Sequence, residues 1–264
     1  SRDEQDEERK QRIRRLMSLA TLVTCGTRPL ADLLAQEVPV IATKFEIVPD
    51  ALENVRGYAA SASLMDRARL WRVRFFLRRN TGALHLVWFG KCKKGSAGIE
   101  HLDPVVRLIE TLPLGRAVTF TVISNRRKIF RRCASRWRVP KFYLPWSLAT
   151  FDAALRLFDV TVIPVDRNGY TVGKSINRPA TALMAGLGVI ADPIPAYEEL
   201  SPFIYLGEWE RGLTEFSQTE PTKDDRIVAA RSYLRSRYDS AVVADRWAEV
   251  IRLALAGNDP SDSA

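Results

Sequence analysis

Largely apolar segments alternate with amphipathic ones along most of the chain, and this alternation constrains the fold more than any other feature. Leu84–Phe89 and Ala117–Ile123 have the composition of buried strands, whereas Ile99–Glu110 between them carries its apolar residues at helical spacing. Strands of this kind are typical of parallel sheets that helices cover on both faces. Because the crossovers of such sheets are right-handed, we predict an α/β fold with a Rossmann-like, doubly wound parallel sheet.

The same pattern predicts the other elements. Further strands are expected at Phe142–Leu144, Val160–Pro164, Gly188–Ala191 and Phe203–Leu206, and further helices at Leu148–Leu157, Pro179–Leu187, Lys223–Arg237 and Ser240–Ala256. Two short strands near the N-terminus, Ala20–Cys25 and Val38–Ala42, flank a helix that begins at Pro29. The predicted domains are a partial βαβ unit (1–58), a connector with one helix (59–80), the sheet domain (81–240) and a closing helix with its tail (241–264).

Composition and charge exclude several classes of protein. The 264 residues include 40 Lys and Arg against 31 Asp and Glu, a net charge of +9, and 46% are hydrophobic, which excludes a disordered or fibrous chain. No apolar run approaches the ~18–20 residues of a membrane span, and the densely charged N-terminus does not resemble a signal peptide. Three distant cysteines predict neither a disulfide framework nor a zinc site, and they favour a cytoplasmic location. Since Ser1 is not an initiator methionine, we expect a piece of a longer protein.

Two predicted strand ends are candidate binding sites, because ligands of open parallel sheets bind beyond the carboxyl ends of the strands. The first is the loop Gly90–Gly98, whose glycines would let the backbone approach a phosphate and whose three lysines add positive charge. The loop matches neither the dinucleotide-binding pattern nor the P-loop pattern. A flexible, solvated turn is therefore the alternative interpretation.

The second strand end precedes a helix with positive charge at its start. We predict that Asn177 caps this helix, that Gly186 lets it pack closely on the sheet, and that its first N–H groups are unpaired. Together with Lys174 and Arg178, those N–H groups would bind a doubly charged anion such as a diphosphate. The alternative is that both cations are ordinary exposed charges around a capped helix.

The stretch Lys174–Leu200 reads KSINRPATALMAGLGVIADPIPAYEEL, and it follows a strand that ends in Ile163–Val165. Together they resemble the C-terminal, nucleotide-sugar-binding domain of the GT-B fold glycosyltransferases of the family 1/4 type. Trp88–Lys91 is similar to the start of that domain, and residues 16–50 resemble the last βαβ piece of the family's N-terminal domain. The resemblance to the C-terminal domain covers about residues 81–256.

The resemblance implies a set of donor-binding residues. Those that would hold the donor diphosphate are Lys174, Ser175, Asn177, Arg178, Lys91 and Lys93. Trp146 would contact the nucleotide base, for which a packing role is the alternative. Thr181 would contact the ribose. Many retaining members carry an acid at the positions of Thr181 and Gly173, so the sugar contacts and the stereochemical outcome stay open.

The implied activity is transfer of a sugar from a nucleotide-sugar donor to a glycan, lipid-linked or other acceptor, with no metal or other cofactor. Basic side chains and a helix N-terminus would stabilise the leaving diphosphate. The family's acceptor-binding domain lies mostly outside these residues, so we assign no catalytic base. Asp166 is the one candidate carboxylate, and a solvated turn is its alternative role. A non-catalytic GT-B-like binding or scaffold domain of a larger protein is the second hypothesis.

Two segments, Arg67–Arg79 and Asn125–Lys141, interleave many basic residues with aromatic ones. Three interpretations are open. The segments are solvated faces whose aromatic residues pack inward, or they contact an anionic membrane at its inner face, or they bind nucleic acid. The third is the least favoured, because the chain has no nucleic-acid-binding motif.

Overall fold

The computed structural model describes residues 2–53, 62–91, 98–219 and 224–256. These residues form a small N-terminal βαβ unit and a larger domain built on a parallel sheet. The N-terminal unit consists of α1 (Arg2–Leu19), β1 (Val23–Cys25), α2 (Arg28–Glu37) and β2 (Phe45–Ile47). The two strands pair in parallel, so their carboxyl ends lie side by side.

The predicted strand at Val38–Ala42 is wrong, and the second strand of the unit is β2, which begins three residues after Ala42. Val38 ends α2 by donating its N–H to the carbonyl of Leu34, and residues 39–41 form a 3₁₀ turn. Pro39 starts this turn and has no N–H to contribute to a strand ladder, which explains why the apolar run does not pair with β1.

The larger domain begins with α3 (Leu64–Arg78), which leads into the sheet. The following elements are β3 (Leu84–Gly90), α4 (Leu102–Thr111), β4 (Val118–Ser124), α5 (Arg127–Cys133), β5 (Lys141–Pro145), α6 (Phe151–Leu155), β6 (Val160–Ile163), α7 (Gly169–Val172), α8 (Asn177–Ala185), β7 (Gly188–Ala191), β8 (Tyr205–Leu206), α9 (Trp209–Gln218), α10 (Asp225–Tyr238) and α11 (Ser240–Ala256). Helices α5, α7 and α9 were not predicted from the sequence, and α6 is shorter than the helix expected there.

The sheet has the strand order β5-β4-β3-β6-β7-β8, and every neighbouring pair is parallel. This is the order of a doubly wound Rossmann-like sheet, in which the chain reverses its direction of winding between β3 and β6. The predicted fold class is therefore confirmed. All carboxyl ends lie at one edge of the sheet, and the reversal opens a crevice there between the loops that follow β3 and β6.

Both faces of the sheet are buried, as the apolar strands predict. Successive residues of β3 point to opposite sides: Leu86 and Trp88 pack with α4 and α9, whereas Val87 and Phe89 pack with α6, α8 and α10. All four side chains are at most 7% exposed. We predicted from the sequence that Gly186 lets α8 pack closely on the sheet, but the structure gives this glycine a different role. It ends α8 with φ +95°, a left-handed conformation that favours glycine.

The last helix returns to the N-terminal unit. Val243 and Val250 of α11 form a small apolar cluster with Val48, and the Arg246 guanidinium donates to the Ile47 carbonyl at 3.2 Å and forms an ion pair with Glu46. The N-terminal unit is thus anchored by a helix from the opposite end of the chain. The domain boundaries proposed from the sequence stay a prediction.

Within the described ranges, no helix combines the length and the apolar character that crossing a bilayer requires. Cys25 and Cys133 are free thiols, and Cys92 lies outside the described residues.

Candidate functional site

Arg178 reaches from α8 to the carboxyl end of β3, across the crevice. It lies in the first turn of α8, and its guanidinium carbon sits 5.7 Å from the centroid of the Trp88 ring on β3. A Cβ atom at Gly90 would come within 3.1 Å of both the guanidinium and the Trp88 ring. The glycine that ends β3 therefore leaves the space through which Arg178 reaches across the crevice.

Lys174 lies in the loop just before α8, and α7 fixes that loop. Asn168 caps α7 by accepting the N–H groups of Tyr170 and Thr171, at 3.0 and 3.1 Å. The Lys174 ammonium then sits 5.0 Å from the centroid of the Tyr170 ring. Burial, and secondarily the positive charge of Arg178, lowers the pKa of Lys174. Two half-buried cations, which we call the cleft pair, thus converge at the start of α8.

The start of α8 differs from the prediction in one respect. Ile176 is the N-cap, and Asn177 is the first helical residue, so the Asn177 side chain does not cap the helix. Its amide instead donates to the Asp50 carboxylate at 2.8 Å, and the Ser175 hydroxyl donates to the same oxygen at 3.0 Å. Two of the residues that we predicted to bind a phosphate therefore bind a carboxylate of the protein itself.

Sequence reasoning did not identify Asp50 as a site residue. It follows β2 in the sequence Val48-Pro49-Asp50, whose only visible signal was the end of a strand. The position matters because the carboxyl ends of the N-terminal unit face those of the large sheet. A second link closes this arrangement: the Thr27 hydroxyl donates to the Gly173 carbonyl at 3.2 Å.

A cleft of about 360 Å³ lies between the N-terminal unit and the sheet domain, and the residues between Lys174 and Arg178 line it. Gly26, Arg28 and Asp50 line one side, and Ser175 and Asn177 line the other. A larger residue at position 173 would crowd α2, because a Cβ there would meet a methyl carbon of Leu30 at 3.1 Å. The packing of α2 favours glycine at this position.

The other predicted residues are distributed around this site. The Thr181 hydroxyl donates to the Asn177 carbonyl one turn earlier at 2.7 Å, and Thr181 lines a neighbouring cavity of about 310 Å³ with Asp152 and Arg156. Trp146 follows β5, three strands along the sheet from β6, and is 49% exposed. Of the two lysines of the first loop that we predicted to hold the diphosphate, Lys91 is exposed directly after β3, and Lys93 lies outside the described residues.

Asp166 has the geometry of a turn residue. Its carboxylate accepts the side-chain amide of Asn168 at 3.3 Å, and its carbonyl accepts the Thr171 hydroxyl, so both groups fix the loop before α7. The described residues contain no group of three or more His, Cys, Asp or Glu side chains placed to hold a metal ion. Lys174 and Arg178 bring positive charge to the crevice.

No protein-family model and no curated protein sequence matches this chain. Solved structures do match it. A trehalose 6-phosphate synthase from Burkholderia multivorans superposes with a TM-score of 0.68 at 15% identity, over 96% of this chain and 63% of its own. HepE from Anabaena, in complex with UDP and glucose, gives 0.58 at 15% identity, over 88% of this chain and 63% of its own.

WaaG, a glycosyltransferase of lipopolysaccharide biosynthesis, gives a TM-score of 0.60 at 13% identity, over 85% of this chain and 61% of its own. The chain has a GT-B glycosyltransferase fold. It spans less than two thirds of the length of these structures. At such low identity the likeness establishes the fold alone. The GT-B resemblance that the sequence suggested is confirmed at that level.

Proposed function

We propose that this chain is the donor-binding part of a glycosyltransferase that transfers a sugar from a nucleotide sugar to a glycan, lipid-linked or other acceptor. The observation that carries the proposal is the convergence of Lys174 and Arg178 at the start of α8, beside the crevice at the carboxyl ends of β3 and β6. A doubly wound sheet binds its ligand at this point. UDP is the first nucleotide to test, because the matching HepE structure contains it.

The chemistry required of these residues is stabilisation of a leaving group. Glycosyl transfer passes through an oxocarbenium-like state while the nucleoside diphosphate departs with growing negative charge. Lys174, Arg178 and the positive end of the α8 dipole would stabilise that charge as it develops. The rings of Tyr170 and Trp88 hold the two cations in place beforehand, so little reorganisation accompanies the reaction.

Ser175 and Asn177 would complete the diphosphate site in exchange for their present partner. Both donate to the Asp50 carboxylate, and a phosphate oxygen would accept the same two hydrogen bonds. Thr181, one turn into α8, would contact the ribose, and Lys91 would approach the phosphates from the first loop. The acceptor would bind on the N-terminal side of the cleft, and the catalytic base would lie on that side too.

Titration with UDP tests the proposal, with affinity measured by calorimetry. We expect saturable binding, and Lys174→Ala or Arg178→Ala should each weaken it by about 1.5–3 kcal/mol, the loss of a hydrogen bond to a charged group. Arg167→Ala is the matched control, since Arg167 is exposed in the loop before α7 and should leave the affinity unchanged. Absence of binding at millimolar UDP, GDP and ADP would favour the non-catalytic binding or scaffold domain.

A further inference from the structure

Helix α3 has an apolar stripe on each of two faces, and only one of them is covered. Val73 and Leu77 point inward and are buried in the core. On the outer face, Trp71 is 63% and Phe75 48% exposed, and their rings stack at 5.6 Å with an interplanar angle of 16°. Leu64 extends this outer stripe toward the start of the helix and is 84% exposed.

Arginines flank the outer stripe on both sides. Helical spacing places Arg67, Arg74 and Arg78 along one side of Trp71, and Arg72 and Arg79 along the other. All five are exposed, and the Arg79 guanidinium lies 5.6 Å from the centroid of the Phe75 ring. The single acidic residue of α3, Asp66, is engaged at the first turn, where it forms a capping box with Ser63 and an ion pair with Arg69.

The positive surface continues across a groove of about 470 Å³ between α3, α5 and the edge strand β5. Five cationic side chains line the groove: Arg69, Arg72, Arg127, Arg131 and Lys141. The segment Asn125–Lys141, which contains α5, has no acidic residue. We call the outer stripe of α3, its flanking arginines and this groove the basic-aromatic face.

We propose that the basic-aromatic face docks on the surface of an anionic lipid bilayer. Trp71, Phe75 and Leu64 would enter the interface between headgroups and acyl chains, where an apolar stripe flanked by long cationic side chains lies in the plane of the membrane. The arginines and Lys141 would contact lipid phosphates, and the groove would receive a headgroup. Charge complementarity selects this partner, since cations surround the apolar stripe on both sides and across the groove.

Exposed aliphatic side chains on this face favour a bilayer over a nucleic acid as its partner. Leu64 and Met65, 84% and 63% exposed, continue the aromatic stripe at the start of α3. Nucleic-acid surfaces pair cations with aromatic rings that stack on bases, and aliphatic side chains gain nothing from such stacking. Acyl chains, in contrast, are contacted equally well by Trp, Phe, Leu and Met side chains.

The position of the face relates it to the proposed activity. Met65 of α3 and Pro145 of β5 line the same groove, so the start of α3 lies at the carboxyl end of β5. Side-chain hydrogen bonds from Ser63 and from Ser147, just beyond β5, help to lower the pKa of Asp66 there. This edge of the sheet also carries the cleft pair. Docking would therefore bring a lipid-linked acceptor toward that edge, a consequence that rests on the proposed function, whereas docking itself does not.

Vesicle binding of the full chain tests the proposal. We expect co-sedimentation with vesicles of phosphatidylcholine containing 30% phosphatidylglycerol, on the order of 100-fold stronger than with phosphatidylcholine alone, because each cation near such a surface contributes about a five-fold factor. The tryptophan fluorescence of the chain should shift to the blue on binding, and Trp71→Ala should remove this shift. Two variants should each lower the partition coefficient at least ~10-fold: Trp71→Ala/Phe75→Ala, and Arg69→Gln/Arg72→Gln/Arg127→Gln/Arg131→Gln.

Matched controls separate this face from general charge and from folding. Trp247→Ala removes another exposed tryptophan, on α11, and should leave vesicle binding unchanged. Gln substitutions at Arg12, Arg15, Arg107 and Arg252 remove the same charge from exposed positions elsewhere and should have a much smaller effect. Circular dichroism should show that all variants are folded.

Three results would overturn the proposal: equal binding to neutral and anionic vesicles, equal loss from both sets of charge substitutions, or no vesicle binding with retention on a single-stranded oligonucleotide that the face variants abolish. The last result would assign the face to nucleic acid. UDP titration of the face variants keeps the two proposals apart, since their nucleotide affinity should equal that of the parent chain.

Discussion

The cleft pair and the basic-aromatic face are both cationic, but the protein holds their charges in different ways. Lys174 and Arg178 are half-buried, and each lies over an aromatic ring that fixes its position. The arginines that flank the outer stripe of α3 are exposed, and the rings between them point outward. A half-buried pair has already lost part of its hydration and suits one ligand of defined shape. An exposed array suits an extended, diffuse negative surface.

A second contrast lies within the basic segments themselves. Phe130 and Trp137, from Asn125–Lys141, are 8% and 6% exposed, whereas Trp71 and Phe75 face outward. The Trp137 ring packs edge-on against Phe120 and Phe130, and its indole N–H donates to Asp103 at 2.6 Å. For Phe130 and Trp137, inward packing is therefore the correct interpretation of the sequence pattern. The aromatic residues of α3 require another one.

The largest expected effect is on stability. Trp137→Ala should lower the free energy of unfolding by about 3–5 kcal/mol, because it leaves a cavity and removes the partner of the half-buried Asp103 carboxylate. Trp71→Ala should change it by less than about 0.5 kcal/mol, since the ring is mostly exposed. Urea denaturation measures both. A similar loss for the two variants would break the contrast between an inward and an outward tryptophan.

These two tryptophans also show how far the sequence alone leads. The apolar strands and their alternation with helices predicted the parallel sheet, because strand and helix periods are local properties of the chain. Whether a tryptophan in a basic segment is covered depends on distant elements, and Trp137 meets Asp103 of α4, 34 residues earlier.

The residues of the site also fall into two groups, those that the sequence shows and those that only the fold shows. The cations before and within α8 were visible in a continuous motif, Lys174 to Arg178. Asp50 was not, since its partner Ser175 lies 125 residues away. The role of Gly90 as a space for Arg178 was hidden too, because it depends on a side chain from another strand end. Non-local contacts of this kind require the fold.

Gly90→Ala tests whether the position of Arg178, and not only its charge, determines affinity. The new methyl group would meet the guanidinium and the Trp88 ring at 3.1 Å, so one of them must move, at a cost of about 1–3 kcal/mol. UDP affinity should fall although every charge is retained. Gly169→Ala is the control, because a Cβ there meets nothing within 4 Å. If UDP affinity is unchanged in Gly90→Ala, the cleft pair is held no more tightly than the arginines of the face.

The pH dependence of UDP affinity distinguishes Lys174 from ordinary lysines. Burial and Arg178 lower its pKa, so the ammonium loses its proton at a lower pH than the usual 10.5. Since the charged form binds the diphosphate, affinity should decline as pH rises through that lowered pKa, by up to about 1.5 kcal/mol. Calorimetry from neutral to alkaline pH measures the decline. Lys174→Arg should flatten the profile, because a guanidinium stays protonated. A variant profile as steep as that of the parent would assign the decline to another group.

The smallest expected effect concerns Asp50, which brings a negative charge next to the cleft pair. Its carboxylate accepts hydrogen bonds from Ser175 and Asn177 and would compete with a diphosphate for both. Asp50→Asn should therefore raise the affinity for UDP by up to about 1 kcal/mol, the scale of a charge interaction at an exposed position. Asp32→Asn is the control, because it removes the same charge from α2, whereas both donors bond to Asp50. Weaker UDP binding by Asp50→Asn would mean that Asp50 holds the two donors in the geometry that the ligand needs, and that it supports the site instead of competing for it.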